Sequence, residues 1–539
     1  MSTADTPASA TTTDTDPRLL KIDRWVENTS EYFNPILVKE TRQALKSRQF
    51  AVTFALVLVT SWLWSVFAIF INYPQILYAS AGPLLLVGYL DILLFPLAVI
   101  IPFSAFRSLA AEREDGTFEL LSISTLNPRQ IIWGKLISAI VQMMVYFSAI
   151  APCIAFTYLL RGIDIITIGY ALTVVFLLSV VLSASGLMLA CVSRKRQWQS
   201  ALSVIVIILY LIAFISALTA CYGLILESTE WREYNHPDFW MATLMLWSYS
   251  FSMLFLLIEL AAAQITFESE NRSAGVRRML LIQHFVILGW MIYWCLRAPQ
   301  ANFILETCVM LLCLTWGIAG IFMNGESTVL SPRIKRSIPL SAVERVWTNW
   351  MLPGPGRGYL FVMTCLFNVG IVSIFVLFIN SLQGLSYSDF MKSTRYTYGM
   401  LLYPACYLGL GRVMVALISK YFRVDIYLSA FLHFFLLLGG MMLPLLFQIM
   451  TRNGYSNFPH ITNPMWFYFR GSSRGTFLLS DEVTLVLILG SVGMAFFFLV
   501  NLGISSKELV PQRETNTKYL PDQAVDIPQT IEDDADPLA

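Results

Sequence analysis

Residues 83–105 read PLLLVGYLDILLFPLAVIIPFSA, an apolar run broken by one charge, Asp91. A helix needs about 20 such residues to cross roughly 30 Å of hydrocarbon, so this stretch predicts a membrane span. The same ruler picks out eleven further segments, at about 50–71, 135–160, 168–193, 201–226, 240–266, 279–297, 302–323, 359–380, 397–419, 425–449 and 482–504. Composition agrees with that count. Hydrophobic residues make up 56% of the chain and charged residues 13%, roughly half the usual quarter of soluble proteins, and the mean hydropathy is +0.64. The expectation is an all-α polytopic integral membrane protein with about twelve transmembrane helices.

The net charge of +1 offers no basic excess for nucleic-acid binding. Eight cysteines lie in or beside apolar stretches without metal-ligand spacing, so they read as small buried hydrophobes and no metal site is expected. Lys and Arg in the connections set the orientation, because cytoplasmic loops retain positive charge. With the N-terminus inside, 27 Lys and Arg fall on the cytoplasmic side and 8 on the other, with Arg412 inside a span. Both termini are therefore expected to be cytoplasmic. Residues 1–30 are rich in Thr and Asp and lack an apolar signal core, and residues 507–539 are acidic. Both are expected to be disordered tails.

Two segments stand out from this apolar background. Before the first span, residues 34–48 read NPILVKETRQALKSR. Asn34 suits an N-cap and Pro35 the first helical position. Lys39, Arg42 and Lys46 share one face and Leu37, Thr41, Ala44 and Leu45 the other, so residues 31–49 are expected to form an amphipathic helix in the membrane interface. An ordinary basic juxtamembrane segment is the alternative. After the second span, residues 112–135 read EREDGTFELLSISTLNPRQIIWGK. A charged run stops at Gly116, Thr117 can cap a short helix with Glu119 in its first turn, and Asn127-Pro128 can start another. Phe118, Leu120, Leu121 and Ile123 then need a partner groove or the lipid headgroups.

The pairing of these two segments resembles the permease subunits of type-2 ABC exporters, including the nitrous-oxide-reductase maturation and gliding-motility branches. The resemblance covers about residues 31–270. It implies that the first segment is an interfacial elbow helix, with Asn34, Pro35, Lys39, Glu40 and Arg42 in its motif. It implies that loop 107–135 couples the membrane domain to an ATP-binding subunit through Glu112, Glu114, Gly116, Thr117, Glu119, Leu120, Leu121, Pro128, Gly134 and Lys135. The domain expectation that follows is a six-span permease domain at 50–270 and a second six-span membrane domain at 271–506. No second EREDGT-like segment occurs in that half, although the loop 324–358 occupies the matching place. The chain has no phosphate-binding P-loop, since Gly134-Lys135 is followed by Leu136. The resemblance therefore implies no catalysis and no directly bound cofactor. ATP would act through a separate ATP-binding subunit, in two copies, at the bacterial cytoplasmic membrane. It leaves open the substrate and whether the chain pairs with a second permease, identical or not.

The runner-up is an ion-coupled secondary transporter, which shares the twelve-span layout but needs ionisable groups near the membrane midplane. The candidates are Asp91, Glu259, Arg412 and His433, with a pairing to Arg412 conceivable for either carboxylate; satisfied interhelical contacts are the structural reading of the same residues. An integral membrane enzyme is the third class. The loop 450–481 offers it only His460, Asp481 and Glu482 among aromatic residues, including Phe467, that read as an interfacial belt.

Overall fold

The computed structural model describes residues 35–509, apart from 75–77, 79, 115–126, 193–195, 228–233, 268, 299–301, 340, 423, 452–461, 474–477 and 479. The described residues are helical, without a strand. In chain order the helices are α1 (Pro35–Leu45), α2 (Arg48–Ile71), α3 (Gly82–Glu114), α4 (Pro128–Leu159), α5 (Ile165–Ala190), α6 (Arg196–Tyr222), α7 (Pro237–Ile265), α8 (Ser273–Arg297), α9 (Asn302–Met323), α10 (Pro332–Arg336), α11 (Ala342–Met351), α12 (Pro355–Leu382), α13 (Tyr387–Ile418), α14 (Ile426–Thr451), α15 (Pro464–Ser473) and α16 (Asp481–Leu509). Twelve of them are long and apolar enough to cross a membrane, one for each segment expected from hydropathy. The chain is a multi-pass, all-α membrane protein.

Two compact units divide the helices. One comprises the chain up to Phe267 with Arg272–Cys308 and Phe378–Leu385; the other comprises Glu268–Asn271, Val309–Leu377 and the chain from Ser386 onward. The seventh span, α8, thus belongs with the first six, whereas the sequence expectation placed it after a boundary at residue 270. The cause is the short turn between α7 and α8, which lays them antiparallel and side by side.

In the first unit α3 is the central helix. Tyr89, Leu90, Leu93, Leu97, Phe106 and Leu109 are fully buried along it, while α2 shows most of its apolar surface to the outside. Helices in lipid gain little from burying carbon against carbon, so they associate through close packing and polar contacts. Gly88 supplies the first: a Cβ there would lie 2.1 Å from the Trp64 indole, whose Nε1–H donates to the Leu85 carbonyl at 3.2 Å. A π-helical turn at Pro96–Ile100 widens α3 midway. Within it the Ser179 hydroxyl of α5 donates to the Leu97 carbonyl at 2.5 Å.

In the second unit α13 packs along α16. The Asn501 amide on α16 donates to the Gly409 carbonyl at 2.9 Å and to the Phe497 carbonyl at 2.8 Å. Phe467, expected in an aromatic belt, is instead fully buried on α15 between the rings of Tyr396 and Tyr403. A Cβ on Gly399 would sit 2.3 Å from the Phe467 ring, so a missing side chain on α13 creates the slot it fills.

Candidate functional site

Lysine 135 lies two turns into α4, inside the apolar run IIWGKLISAI, where an ammonium cannot stay unpaired. Its side chain is 1% exposed, and Nζ lies 2.8 Å from Glu40 Oε1 and 3.1 Å from Glu112 Oε1. Lys39 approaches the same Glu112 oxygen at 3.9 Å from the exposed side. One buried cation therefore joins three elements: α1 through Glu40, the end of α3 through Glu112, and α4 itself. Charge-assisted bonds of this kind are the strong ones, and removing one member of a buried pair is costly because its partner is left uncompensated.

The rest of the charged run at the end of α3 is also engaged. Arg113 donates to the Cys191 carbonyl at the end of α5, at 2.6 Å. Glu114 faces Arg107 on its own helix at 3.7 Å. On the other side of the loop, Pro128 opens α4 as expected, and the Gln130 carboxamide accepts from the Asn127 N–H at 3.0 Å. Gly134 is buried beside Lys135 in the chain. Gly116, Thr117, Glu119, Leu120 and Leu121 lie outside the described residues, as does Asn34. Helix α1 begins at Pro35 with Ile36 buried, and it turns Lys39 and Arg42 outward; Lys46, just past its end, is also exposed. The helices at the two roots of the loop, α3 and α4, are therefore joined through Glu112 and Lys135, and α1 shares that cluster through Glu40.

A second ion pair holds the same end of α4. Arg129 Nε lies 2.7 Å from Glu259 Oε1, and its NH2 donates to Oε2 at 3.0 Å, a two-point contact that ties α4 to α7. Gly275 on α8 makes room for it, since a Cβ there would fall 2.2 Å from Glu259 Oε2. Glu259 is thus a satisfied interhelical contact. Arg277 is fully buried on α8, whereas its neighbour Arg278 is exposed.

Asp91 differs from these. It is half-buried on α3, nine residues or about 14 Å from the helix start and hence near the depth of a membrane midplane. Among the described residues it makes no hydrogen bond or ion pair. Arg412, in the second unit, takes Glu508: the guanidinium is 2% exposed, donates to the Ser505 hydroxyl at 2.7 Å, lies 3.9 Å from Glu508 Oε1 and stacks over the Tyr359 ring at 5.5 Å. His433 Nδ1 lies 2.8 Å from the Ser429 carbonyl, so Nδ1 carries the proton and Nε2 accepts from the Asn324 amide at 3.0 Å.

No family model, curated protein or solved structure matches this chain. The cluster Glu40–Lys135–Glu112 joins residues marked in two separate segments of the sequence, whereas of the pair Arg129–Glu259 only Glu259 is a sequence candidate. A lysine embedded in an apolar run was the available signal for the first. Nothing in the local sequence around Gly275 announced the second.

Proposed function

We propose that the chain is the membrane-spanning permease subunit of an ATP-driven export system, coupled to a separate ATP-binding subunit through loop 107–135, with both termini in the cytoplasm. The observation that carries this reading is the buried Lys135 cluster, which binds both roots of that loop and α1 into one body. A force applied to the loop would reach α3, α4 and the interfacial helix together, and rigid transmission of that kind is what a coupling element needs. The cargo stays open.

Asp91 favours an ion-coupled carrier instead, because a half-buried carboxylate at membrane depth with no hydrogen bond or ion pair among the described residues is a typical ion or proton site. The two readings separate in one experiment. The tagged chain is purified from native membranes in mild detergent and its ATPase activity measured. A stoichiometric P-loop ATPase, lost with Glu114→Lys and weakened with Lys135→Met but retained with Asp91→Asn, supports the permease. A solitary chain under gentle extraction, with transport abolished by Asp91→Asn, supports the carrier and ends the permease reading.

A further inference from the structure

The connection between α9 and α12 is a small folded module. Leu330, Ile334, Ile338 and Leu352 form its own buried apolar cluster. The Ser331 hydroxyl donates to the Ser269 carbonyl at 2.7 Å, the Asn271 amide to the Met351 carbonyl at 3.1 Å, and the Gly354 N–H to Glu326 Oε2 at 2.7 Å, so the module is closed at both ends. Helix α11 within it is tied to the module at two points: Arg345 Nε donates to the Pro339 carbonyl at 3.2 Å, and Asn349 Oδ1 accepts from Arg357 Nε at 2.7 Å, while Glu344 and Arg345 stay exposed. Its apolar stripe faces outward: Val343, Val346 and Trp347, at i, i+3 and i+4, are 72%, 61% and 69% exposed.

We propose that this module is a membrane anchor, with the stripe of α11 seated in the bilayer leaflet where α12 begins and Lys335 and Arg336 contacting the phosphates of anionic phospholipids. Three residues, Leu352–Gly354, separate α11 from the first residue of span α12, a reach of roughly 14 Å at most. The helix is therefore held at the level of the membrane surface. An aliphatic and tryptophan stripe preceded in the same connection by basic residues is a composition that partitions into that layer. Arg333 is held by Glu270 at 3.1 Å, whereas Lys335 and Arg336 make no ion pair among the described residues and stay available to headgroups. The module is independent of the coupling loop, so the inference stands whichever transport reading holds.

The test uses the full chain in native membranes and in nanodiscs. A photoreactive benzoyl-phenylalanine at position 347, with one at Phe375 on the exposed face of α12 as the control, is irradiated and its adducts identified by mass spectrometry. Phospholipid adducts at both positions are expected. In nanodiscs of mixed phosphatidylglycerol and phosphatidylcholine, retention of phosphatidylglycerol by the purified protein should fall about fivefold per cation removed in Lys335→Gln and Arg336→Gln. Protein adducts at position 347 in place of lipid would show that the stripe docks a soluble partner and overturn the proposal. So would lipid adducts at 375 with none at 347. Unchanged phosphatidylglycerol retention in the double variant, with an unaltered melting temperature, would overturn the headgroup contact.

Discussion

Replacing Lys135 by Met keeps the unbranched apolar stem of the side chain and removes its charged end, which largely separates the ion cluster from its packing. Loss of one partner of a buried pair costs about 3–5 kcal/mol. Here the stranded carboxylates retain some solvent, with Glu40 13% and Glu112 19% exposed, and Lys39 stands 3.9 Å from Glu112. The expected cost is therefore lower, about 2–4 kcal/mol. At about 2 °C per kcal/mol for a large domain, the melting temperature should drop by roughly 4–8 °C. Cys191, Cys221 and Cys295, at 3%, 8% and 2% exposure, are natural reporters, since a thiol-reactive dye reaches them only on unfolding of the first unit in detergent. The charge-balanced double variant Lys135→Met/Glu40→Gln leaves Glu112 facing Lys39 and should recover at least half of the loss. A Lys135→Met protein that melts within about 1 °C of wild type would refute the assignment of Lys135 as a clamp. A double variant that is additively worse would do the same.

Further outcomes follow from the other buried charges. Gly275→Ala drives a methyl into Glu259 Oε2, from 2.2 Å, and should lower stability by roughly 1–3 kcal/mol, less than additively with Glu259→Gln because both break the contact with Arg129; thermal melts of the four-member cycle measure it. Arg412→Met strands Glu508 and should cost about 3 kcal/mol, and Arg412→Lys should restore only part of it, because an ammonium cannot serve Ser505, Glu508 and the Tyr359 face at once. Dye reactivity of the buried Cys365 in the second unit reports that loss, and full rescue by lysine would show that charge alone matters there.

Membrane insertion is a local property, and it was readable. Each span carries enough apolar length to satisfy its own backbone within a helix, so a window of about 20 residues holds all the information needed. The starts of α1 and α4 were readable for the same reason: Pro35 and Asn127-Pro128 act within one turn. Phe467 shows where this locality ends. In sequence it belongs to a run of aromatics before the last span, but its burial depends on the space left by Gly399, sixty-eight residues earlier in the chain.

Charge pairing was undetermined at that level. Asp91, Glu259 and Arg412 were equivalent as ionisable residues inside apolar runs, with nothing local to rank them. Packing separated them: α4 brought Arg129 to Glu259, α16 brought Glu508 to Arg412, and Asp91 was left without a polar partner among the described residues. The sequence by itself determined the helices, their membrane-spanning lengths and the cap of α4 at Asn127, because hydration and helix termination act over a few residues. Only the tertiary structure decided that Lys135 binds α1 to both roots of the loop and that α11 turns its apolar stripe outward. A charge is neutralised, and a helix face covered, by whatever long-range folding brings within about 4 Å.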